Sequence, residues 1–148
     1  MVPTYNINYI YIIFFYIMAF FSYSVSAVEK PHAPENITGV TQVSAEEVVD
    51  LILSDADIII IDSRKKTEYL KGHIEGAINI LNTELAREDL ETIAPDRSKA
   101  VIFYCNGARC LSSSASIDKA LGWGYTNIYW FRGGWEEWTE KRLPVITE

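Results

Sequence analysis

The sequence contains few basic residues, glycines, histidines and cysteines, and each shortage excludes a class of protein. Lys and Arg number 13 against 20 Asp and Glu, so the 148 residues carry a net charge of −7. A nucleic-acid partner is not expected, because binding to phosphates requires a basic surface. Eight glycines exclude a collagen-like chain, two cysteines cannot form a disulfide framework, and two histidines are too few and too far apart to suggest a zinc site. The hydrophobic content of 49% fits one globular domain.

Charged residues are also absent from residues 1–27, where thirteen consecutive apolar or aromatic residues occupy positions 9–21. This run is shorter than the roughly 20 residues of a membrane-spanning helix, and it has the length of the apolar part of a signal peptide. We therefore expect a signal peptide at 1–27, cleaved after Ala27, and export to the periplasm or another extracytoplasmic compartment. Because no Lys or Arg precedes the run, an uncleaved N-terminal anchor is the alternative, and only this alternative would attach the protein to a membrane.

The rest of the chain alternates predicted strands and helices. Residues 28–38 predict an extended polar lead-in without periodic burial, and the domain follows at 39–148. Ser44 and Glu47 form a capping-box signal for the first helix, and four isoleucines at 58–61 indicate a strand buried on both faces. Strands are predicted at 40–43, 58–61, 77–80, 100–104 and 127–130, and further helices at 65–70, 83–93, 112–121 and 135–142. This alternation predicts an α/β domain with an open parallel sheet and helices on both faces.

Chemistry is expected at the carboxyl ends of the strands, because parallel α/β sheets bind ligands there. Segments with polar residues follow three of the predicted strands, at 62–64, 105–110 and 132–134. Cys105 follows a buried strand and precedes a loop and a helix, so backbone N–H groups and the helix dipole should lower its pKa and keep it as an accessible thiolate. Gly107 permits a tight loop, and Arg109 adds positive charge. The alternative from position alone is that Cys105 is a small buried apolar residue.

Three motifs, in this order along the chain, resemble the rhodanese (sulfurtransferase) domain between about residues 40 and 144. They are Asp62-x-Arg64-x-x-x-Glu68-Tyr69-x-x-Gly72-His73-Ile74-x-Gly76-Ala77-Ile78-Asn79, the loop that opens at Cys105, and Gly133-Gly134-x-x-x-Trp138. The resemblance implies a rhodanese-like fold with a five-stranded parallel sheet, and it matches Cys105 to the catalytic residue that carries sulfur as a persulfide. The implied activity moves sulfane sulfur from thiosulfate or a persulfide donor to a thiol or cyanide acceptor, with no metal or organic cofactor.

The loop and a few other residues complete the predicted site. The substrate-binding loop comprises Asn106, Gly107, Ala108, Arg109, Cys110 and Leu111. Asp62 and Arg64 are expected to form a charge-assisted pair that holds the neighbouring loop, and His73 to be a hydrogen-bonded residue of the fold. At the end of the last strand, Arg132 is a candidate contact for an anionic substrate, and Trp130 is a candidate for the pocket wall.

The loop departs from the common pattern of the family. Gly107 is third, Arg109 fifth and Cys110 sixth, whereas family loops often have Gly fourth and a basic residue or threonine sixth, so the donor preference stays open. Leu111 stands where related phosphatases have a phosphate-binding arginine, which argues against a phosphatase. Cys110 opens an alternative function, a non-enzymatic or thiol–disulfide redox module that binds a partner in the cell envelope. A Cys105–Cys110 disulfide requires Cα atoms closer than about 7 Å, and the spacing leaves open whether Cys110 is a redox partner or a loop-packing residue.

Overall fold

The computed structural model describes residue 1 and residues 32–148. The predicted signal peptide beyond Met1, its cleavage after Ala27 and the first part of the predicted lead-in therefore lie outside the described residues. In chain order the elements are β1 (Thr41–Gln42), α1 (Ala45–Ser54), β2 (Ile59–Asp62), α2 (Lys66–Tyr69), β3 (Ala77–Asn79), α3 (Arg87–Ile93), β4 (Val101–Tyr104), α4 (Leu111–Gly122), β5 (Ile128–Phe131) and α5 (Gly134–Glu140). The strands form one parallel sheet in the order β1-β5-β4-β2-β3, which confirms the predicted α/β fold with five parallel strands.

Alternate side chains of the central strands enter two hydrophobic clusters, one on each face of the sheet. In β4, Val101 and Phe103 belong to the cluster that includes residues of α3 and α4. Ile102 and Tyr104 belong to the cluster that includes residues of α1 and α5. All four side chains are fully buried, because a parallel sheet with helices on both faces has no side open to water.

Helix α1 begins with the capping box that the sequence predicts. The Ser44 hydroxyl accepts a hydrogen bond from the Glu47 N–H at 3.3 Å, and the Glu47 carboxylate accepts one from the Ser44 N–H at 2.7 Å. A second carboxylate, that of Glu137 in α5, accepts from the Ala45 N–H at 2.8 Å. Helices α1 and α5 are therefore joined at the start of α1 as well as through their apolar faces.

Helix α3 is shorter than the helix predicted at 83–93, whereas the other predicted boundaries differ from the observed ones by at most two residues. The chain makes a separate turn before α3. There the Lys119 ammonium group donates to the backbone carbonyls of Asn82 and Leu85, at 2.6 and 2.9 Å. These bonds from α4 hold the turn in place, and Ala86 is extended before the helix begins.

The described part of the lead-in packs on the domain more closely than the sequence predicts. Residues 32–38 contain no helix or strand, yet Ala33 is fully buried in the core. Arg132 fixes the next two residues, since its guanidinium donates to the Pro34 carbonyl at 2.9 Å and forms an ion pair with Glu35 at 3.0 Å. Burial of Ala33 alone is not periodic, so the segment keeps the predicted lack of periodic burial while Ala33 anchors it in the core. Among residues 32–148, none of the helices has both the length and the apolar character needed to cross a membrane.

Candidate active site

The candidate active site is the loop of residues 105–110, which connects the carboxyl end of β4 to the first residue of α4. The Cys110 N–H closes the loop by donating to the Gly107 carbonyl at 2.9 Å. Helix α5 holds the other end of the loop. The N–H groups of Trp135 and Glu136 donate to the carbonyls of Cys105 and Asn106, both at 2.8 Å. Because the C=O and N–H of a trans peptide unit point in opposite directions, the N–H groups that follow these two carbonyls point away from α5.

Gly134 makes this close approach of α5 possible. Its backbone has φ of +56°, a left-handed conformation that favours glycine. A Cβ atom at this position would overlap the carbonyl oxygen of Cys105 and would lie 3.2 Å from the carbonyl carbon of Asn106. The glycine therefore sets the position of the loop, although it lies far from the loop in sequence.

The two cysteines form a disulfide bond across the loop. Their Cα atoms are 6.2 Å apart, within the distance that such a bond requires. The bond consumes the sulfur that should act as a nucleophile, and only 2% of Cys105 is exposed. The expectation of an accessible Cys105 thiolate is therefore wrong for this oxidised form, since the bond to Cys110 holds the sulfur inside the loop. Nucleophilic chemistry at Cys105 requires reduction of the disulfide.

An open cavity of about 730 Å³ lies beside the loop. Its lining consists of Asn106, Gly107, Ala108, Arg109, Cys110, Trp135 and Glu136. Of the predicted loop residues, only Leu111 is outside this lining, and its side chain is 41% exposed at the start of α4. Sequence reasoning missed Glu136 as a site residue. Among the aromatic residues Trp123, Trp130 and Trp135, which the sequence places near this end of the sheet, it favoured Trp130 for the wall instead of Trp135. The signal available in the sequence was the Gly133-Gly134 pair, which starts a helix at the same edge of the sheet.

Trp130 does not form the wall of this cavity. Its side chain is 1% exposed, and its indole N–H donates to the Ser113 hydroxyl at 3.0 Å, so it belongs to the core. Trp135 takes the place on the wall that the sequence suggested for Trp130.

Charges of both signs surround the loop. The Asn106 side-chain amide donates to the Glu68 carboxylate at 3.0 Å, and the Glu136 carboxylate lies against Gly107. Arg109 is exposed and forms no ion pair with any residue that the structure describes. The single guanidinium on the loop is thus accompanied by two carboxylates, which reduces the attraction of the cavity for a strongly charged anion.

The backbone amides of the loop are available to bind negative charge. Within residues 32–148, no backbone or side-chain acceptor receives a hydrogen bond from the N–H groups of residues 106–109. The dipole of α4, whose first residue follows Cys110, favours negative charge at the same place. These groups are suited to stabilise a thiolate or a persulfide anion on Cys105.

Asp62 and Arg64 form the predicted ion pair at the end of β2, with 2.6 Å between nitrogen and oxygen and almost no exposure of either side chain. Arg64 also donates to the Gly72 carbonyl at 2.7 Å, and its guanidinium lies 4.4 Å from the centre of the Trp135 ring. Burial alone would lower the pKa of Arg64, but the hydrogen bonds and charge of Asp62 raise it above the ordinary value. Arg64 therefore stays protonated, and its guanidinium supports Trp135, a wall residue of the cavity.

Tyr104, the last residue of β4, joins this buried group by donating its hydroxyl hydrogen bond to Asp62. Burial raises the pKa of the Tyr104 phenol far above its ordinary value, and the neighbouring Asp62 carboxylate raises it further. The phenol therefore remains protonated and continues to donate to the carboxylate. Because Cys105 is the next residue, the network fixes the backbone from which the loop starts.

His73 and Arg132 do not line the cavity. The His73 ring is buried, stacks on the Tyr69 ring at 3.7 Å, and lies 3.0 Å from the Tyr69 carbonyl through Nδ1. This placement fits the predicted role in the fold. The Arg132 guanidinium, a candidate substrate contact in the sequence, is instead occupied by the lead-in. Among the described residues, no group of three His, Cys, Asp or Glu side chains is placed to hold a metal ion.

The family model of the rhodanese-like domain matches residues 44–141 of the chain, which include β2, β4 and the loop. The chain therefore belongs to the rhodanese-like domain family. It is 23% identical over 113 residues to the uncharacterised protein YibN of Escherichia coli K12, in a match that covers 76% of this chain and 77% of that protein.

Two other relatives carry descriptions of activity. A tRNA uridine(34) hydroxylase of Photorhabdus laumondii is 33% identical over 108 residues, which cover 67% of this chain and 30% of that enzyme. The solved structure of a thiosulfate sulfurtransferase from Pseudomonas aeruginosa is similar with a TM-score of 0.62 and 30% identity, over 73% of this chain and 20% of that one. In both cases the chain corresponds to less than a third of the relative.

Proposed function

We propose that the reduced protein is a sulfurtransferase that carries sulfane sulfur as a persulfide on Cys105. The observation that supports this most strongly is the position of Cys105, at the carboxyl end of a central strand and at the base of a loop. The N–H groups of residues 106–109 in this loop have no acceptor among the described residues. Membership of the rhodanese-like family is consistent with it, since the family includes sulfurtransferases.

Sulfur uptake would begin with the Cys105 thiolate. The thiolate attacks the outer sulfur of thiosulfate, a new S–S bond forms, and sulfite leaves with the electron pair of the broken S–S bond. The products are a Cys105 persulfide anion and sulfite, which together carry the same total charge as the thiolate and thiosulfate. Loop amides and the dipole of α4 favour the thiolate before the step and the persulfide after it.

Release of sulfur would be a second nucleophilic attack, this time by the acceptor on the persulfide. A thiolate or cyanide attacks the outer sulfur of the persulfide and removes it, and Cys105 returns to the thiolate. The acidic side chains of Glu68 and Glu136 favour donors of lower charge than thiosulfate, such as an organic persulfide. We further propose that this chemistry takes place outside the cytoplasm, on the basis of the charge-free segment at 1–27.

The test compares two serine variants that differ only in the cysteine removed. The full chain is reduced with a dithiol, separated from it, and treated with thiosulfate in the absence of oxygen. Cys110→Ser is expected to gain the mass of one sulfur atom and to form thiocyanate when cyanide is added, whereas Cys105→Ser is expected to do neither. Absence of sulfur uptake by Cys110→Ser with both thiosulfate and an organic persulfide would contradict the proposal.

The Cys105–Cys110 disulfide supports a second candidate function, a thiol–disulfide redox module that binds a partner in the cell envelope. In this case the protein isolated from the envelope should contain the disulfide, and neither serine variant should accept sulfur. Formation of a mixed disulfide with a partner by one of the two variants would favour this function over sulfur transfer.

A further inference from the structure

The two cysteines of the loop differ in their access to solvent. Cys105 is 2% exposed and does not line the cavity, whereas Cys110 is half-buried and does line it. Cys110 is also the N-cap residue of α4, but its side chain makes no capping hydrogen bond. Its sulfur therefore has no role in starting the helix, and its contact with the site is the bond to Cys105.

The loop holds the two sulfurs within bonding distance while its backbone is fixed at both ends. The hydrogen bonds from α5 hold Cys105 and Asn106, and the bond between Cys110 and Gly107 holds the other end. Two reacting groups on one anchored loop meet far more often than the same groups in dilute solution. A persulfide on Cys105 would thus be formed next to a second thiol that reaches its inner sulfur.

We propose that Cys110 is an internal acceptor that converts the sulfane sulfur on Cys105 to sulfide. This inference rests on the proposed function, because it starts from the Cys105 persulfide. The Cys110 thiolate attacks the Cys105 sulfur, the bond between the two cysteine sulfurs forms, and the bond to the outer sulfur breaks. The outer sulfur leaves as hydrosulfide with the electron pair of that bond and takes up the proton released by Cys110.

The overall reaction needs only the reduced protein and thiosulfate, and its atoms, charges and electrons balance. One reduced protein and one thiosulfate give one oxidised protein, one sulfite, one hydrosulfide and one proton. The two thiols lose two electrons, and the sulfane sulfur gains them. The oxidised product of this step would contain the same Cys105–Cys110 bond as the structure.

A further turnover requires an external dithiol as reductant. Its thiolate attacks the sulfur of Cys110, because this is the cysteine that lines the cavity. The bond to Cys105 breaks, and Cys105 leaves as a thiolate beside the loop amides and the start of α4. The second thiol of the reductant then displaces Cys110 and becomes part of the reductant's own disulfide.

The experiment measures hydrosulfide and protein mass together. Reduced full-length wild type, Cys110→Ser, Cys110→Ala and Cys105→Ser are treated with one equivalent of thiosulfate without oxygen or added thiol. Wild type should release one hydrosulfide per chain and become two hydrogen atoms lighter. Both Cys110 variants should keep one added sulfur atom and release hydrosulfide at least about a hundredfold more slowly, since they lack the neighbouring thiol. Ser112→Ala, which alters a residue two positions after Cys110 without removing a thiol, should behave as wild type.

The outcomes separate this inference from the proposed function. Sulfur uptake by the Cys110 variants, together with a wild type that keeps its persulfide and releases no hydrosulfide, would overturn the internal-acceptor role alone. Hydrosulfide release by a Cys110 variant at the wild-type rate would overturn it in the same way. If neither Cys110 variant takes up sulfur, the proposed function and this inference fail together.

Discussion

At the scale of single residues, Asp62 and Arg64 have lost nearly all contact with water at a position directly behind the candidate site. Each ion replaces its lost hydration with specific partners, which for Arg64 include a backbone carbonyl and an aromatic ring. Removing one partner leaves the other as a buried charge without compensation, and this costs far more than loss of an exposed pair.

We expect Arg64→Ala to lower the free energy of unfolding by about 3–5 kcal/mol, because the Asp62 carboxylate would stay buried without its counter-ion. Urea unfolding of the purified protein measures the change. The control is Arg97→Ala, which breaks the ion pair between Arg97 and Glu91. Both of these side chains are nearly half exposed, so this substitution should lower the free energy of unfolding by less than about 1 kcal/mol. Equal losses of unfolding free energy in the two variants would show that the buried Asp62 carboxylate does not need Arg64 as its counter-ion.

A second residue-scale prediction concerns Gly134. Its replacement by alanine should push the Cys105 carbonyl away from α5 and displace the loop, so sulfur uptake by Cys105 should slow by about a hundredfold. The rate is measured as mass gain after thiosulfate addition, in the Cys110→Ser protein. Gly122→Ala is the matched control, because a Cβ at Gly122 meets no atom within 4 Å. An unchanged rate in Gly134→Ala would mean that the loop position does not depend on the close contact.

At the scale of elements, α5 connects the loop to the rest of the domain. Its first turn donates two N–H groups to the loop and contributes Trp135 and Glu136 to the cavity. In the same turn, Glu137 accepts a hydrogen bond from the first residue of α1. The two neighbouring carboxylates thus have different roles, and only the one at 136 is placed to affect an anionic donor.

We therefore expect Glu136→Gln to raise kcat/KM for thiosulfate by about three- to tenfold, because one negative charge leaves the cavity. The effect should shrink at high ionic strength and should be small for an uncharged sulfur donor. Glu140→Gln removes an exposed carboxylate from the other end of α5. It should change kcat/KM neither for thiosulfate nor for the uncharged donor. A decrease in kcat/KM for thiosulfate in Glu136→Gln would contradict the electrostatic argument.

The sequence predicted features that depend on neighbouring residues and missed those that depend on distant ones. The capping box of α1 and the loop after β4 are local patterns, and both are present. The late start of α3 depends on Lys119, which lies in another helix. Glu136 was missed because the Gly133-Gly134 signal points to the cavity only when β5 is known to lie beside β4 in the sheet. The oxidation state of the loop also required coordinates, since a spacing of five residues does not fix the distance between sulfurs.

At the scale of the whole molecule, buried tyrosines couple stability to alkaline pH. Tyr69, Tyr104 and Tyr125 are at most 7% exposed, and their hydroxyl groups donate to Ala77, Asp62 and Ala94. Burial raises the pKa of all three phenols above the ordinary value in the folded protein. Because the folded state keeps these protons longer than the unfolded state, the stabilisation is complete below the ordinary tyrosine pKa of about 10 and is lost as pH rises above it.

We expect the free energy of unfolding to fall steeply above about pH 10, by about 1 kcal/mol per pH unit for each tyrosine that ionises on unfolding. Denaturant unfolding at a series of pH values measures this slope. Tyr104→Phe should have a shallower slope, even if it is less stable at neutral pH. Tyr129→Phe, which removes the phenol of a half-buried tyrosine, is the control and should keep the wild-type slope. Equal slopes in all three proteins would exclude a contribution from Tyr104.

The outermost strands of the sheet, β1 and β3, have only two and three residues. Such short edge strands offer few unpaired N–H and C=O groups with which a strand from another molecule could pair. Lateral stacking into fibres is therefore disfavoured by the architecture itself. Samples concentrated for mass measurement and titration should stay clear of strand-mediated aggregates as long as the domain remains folded.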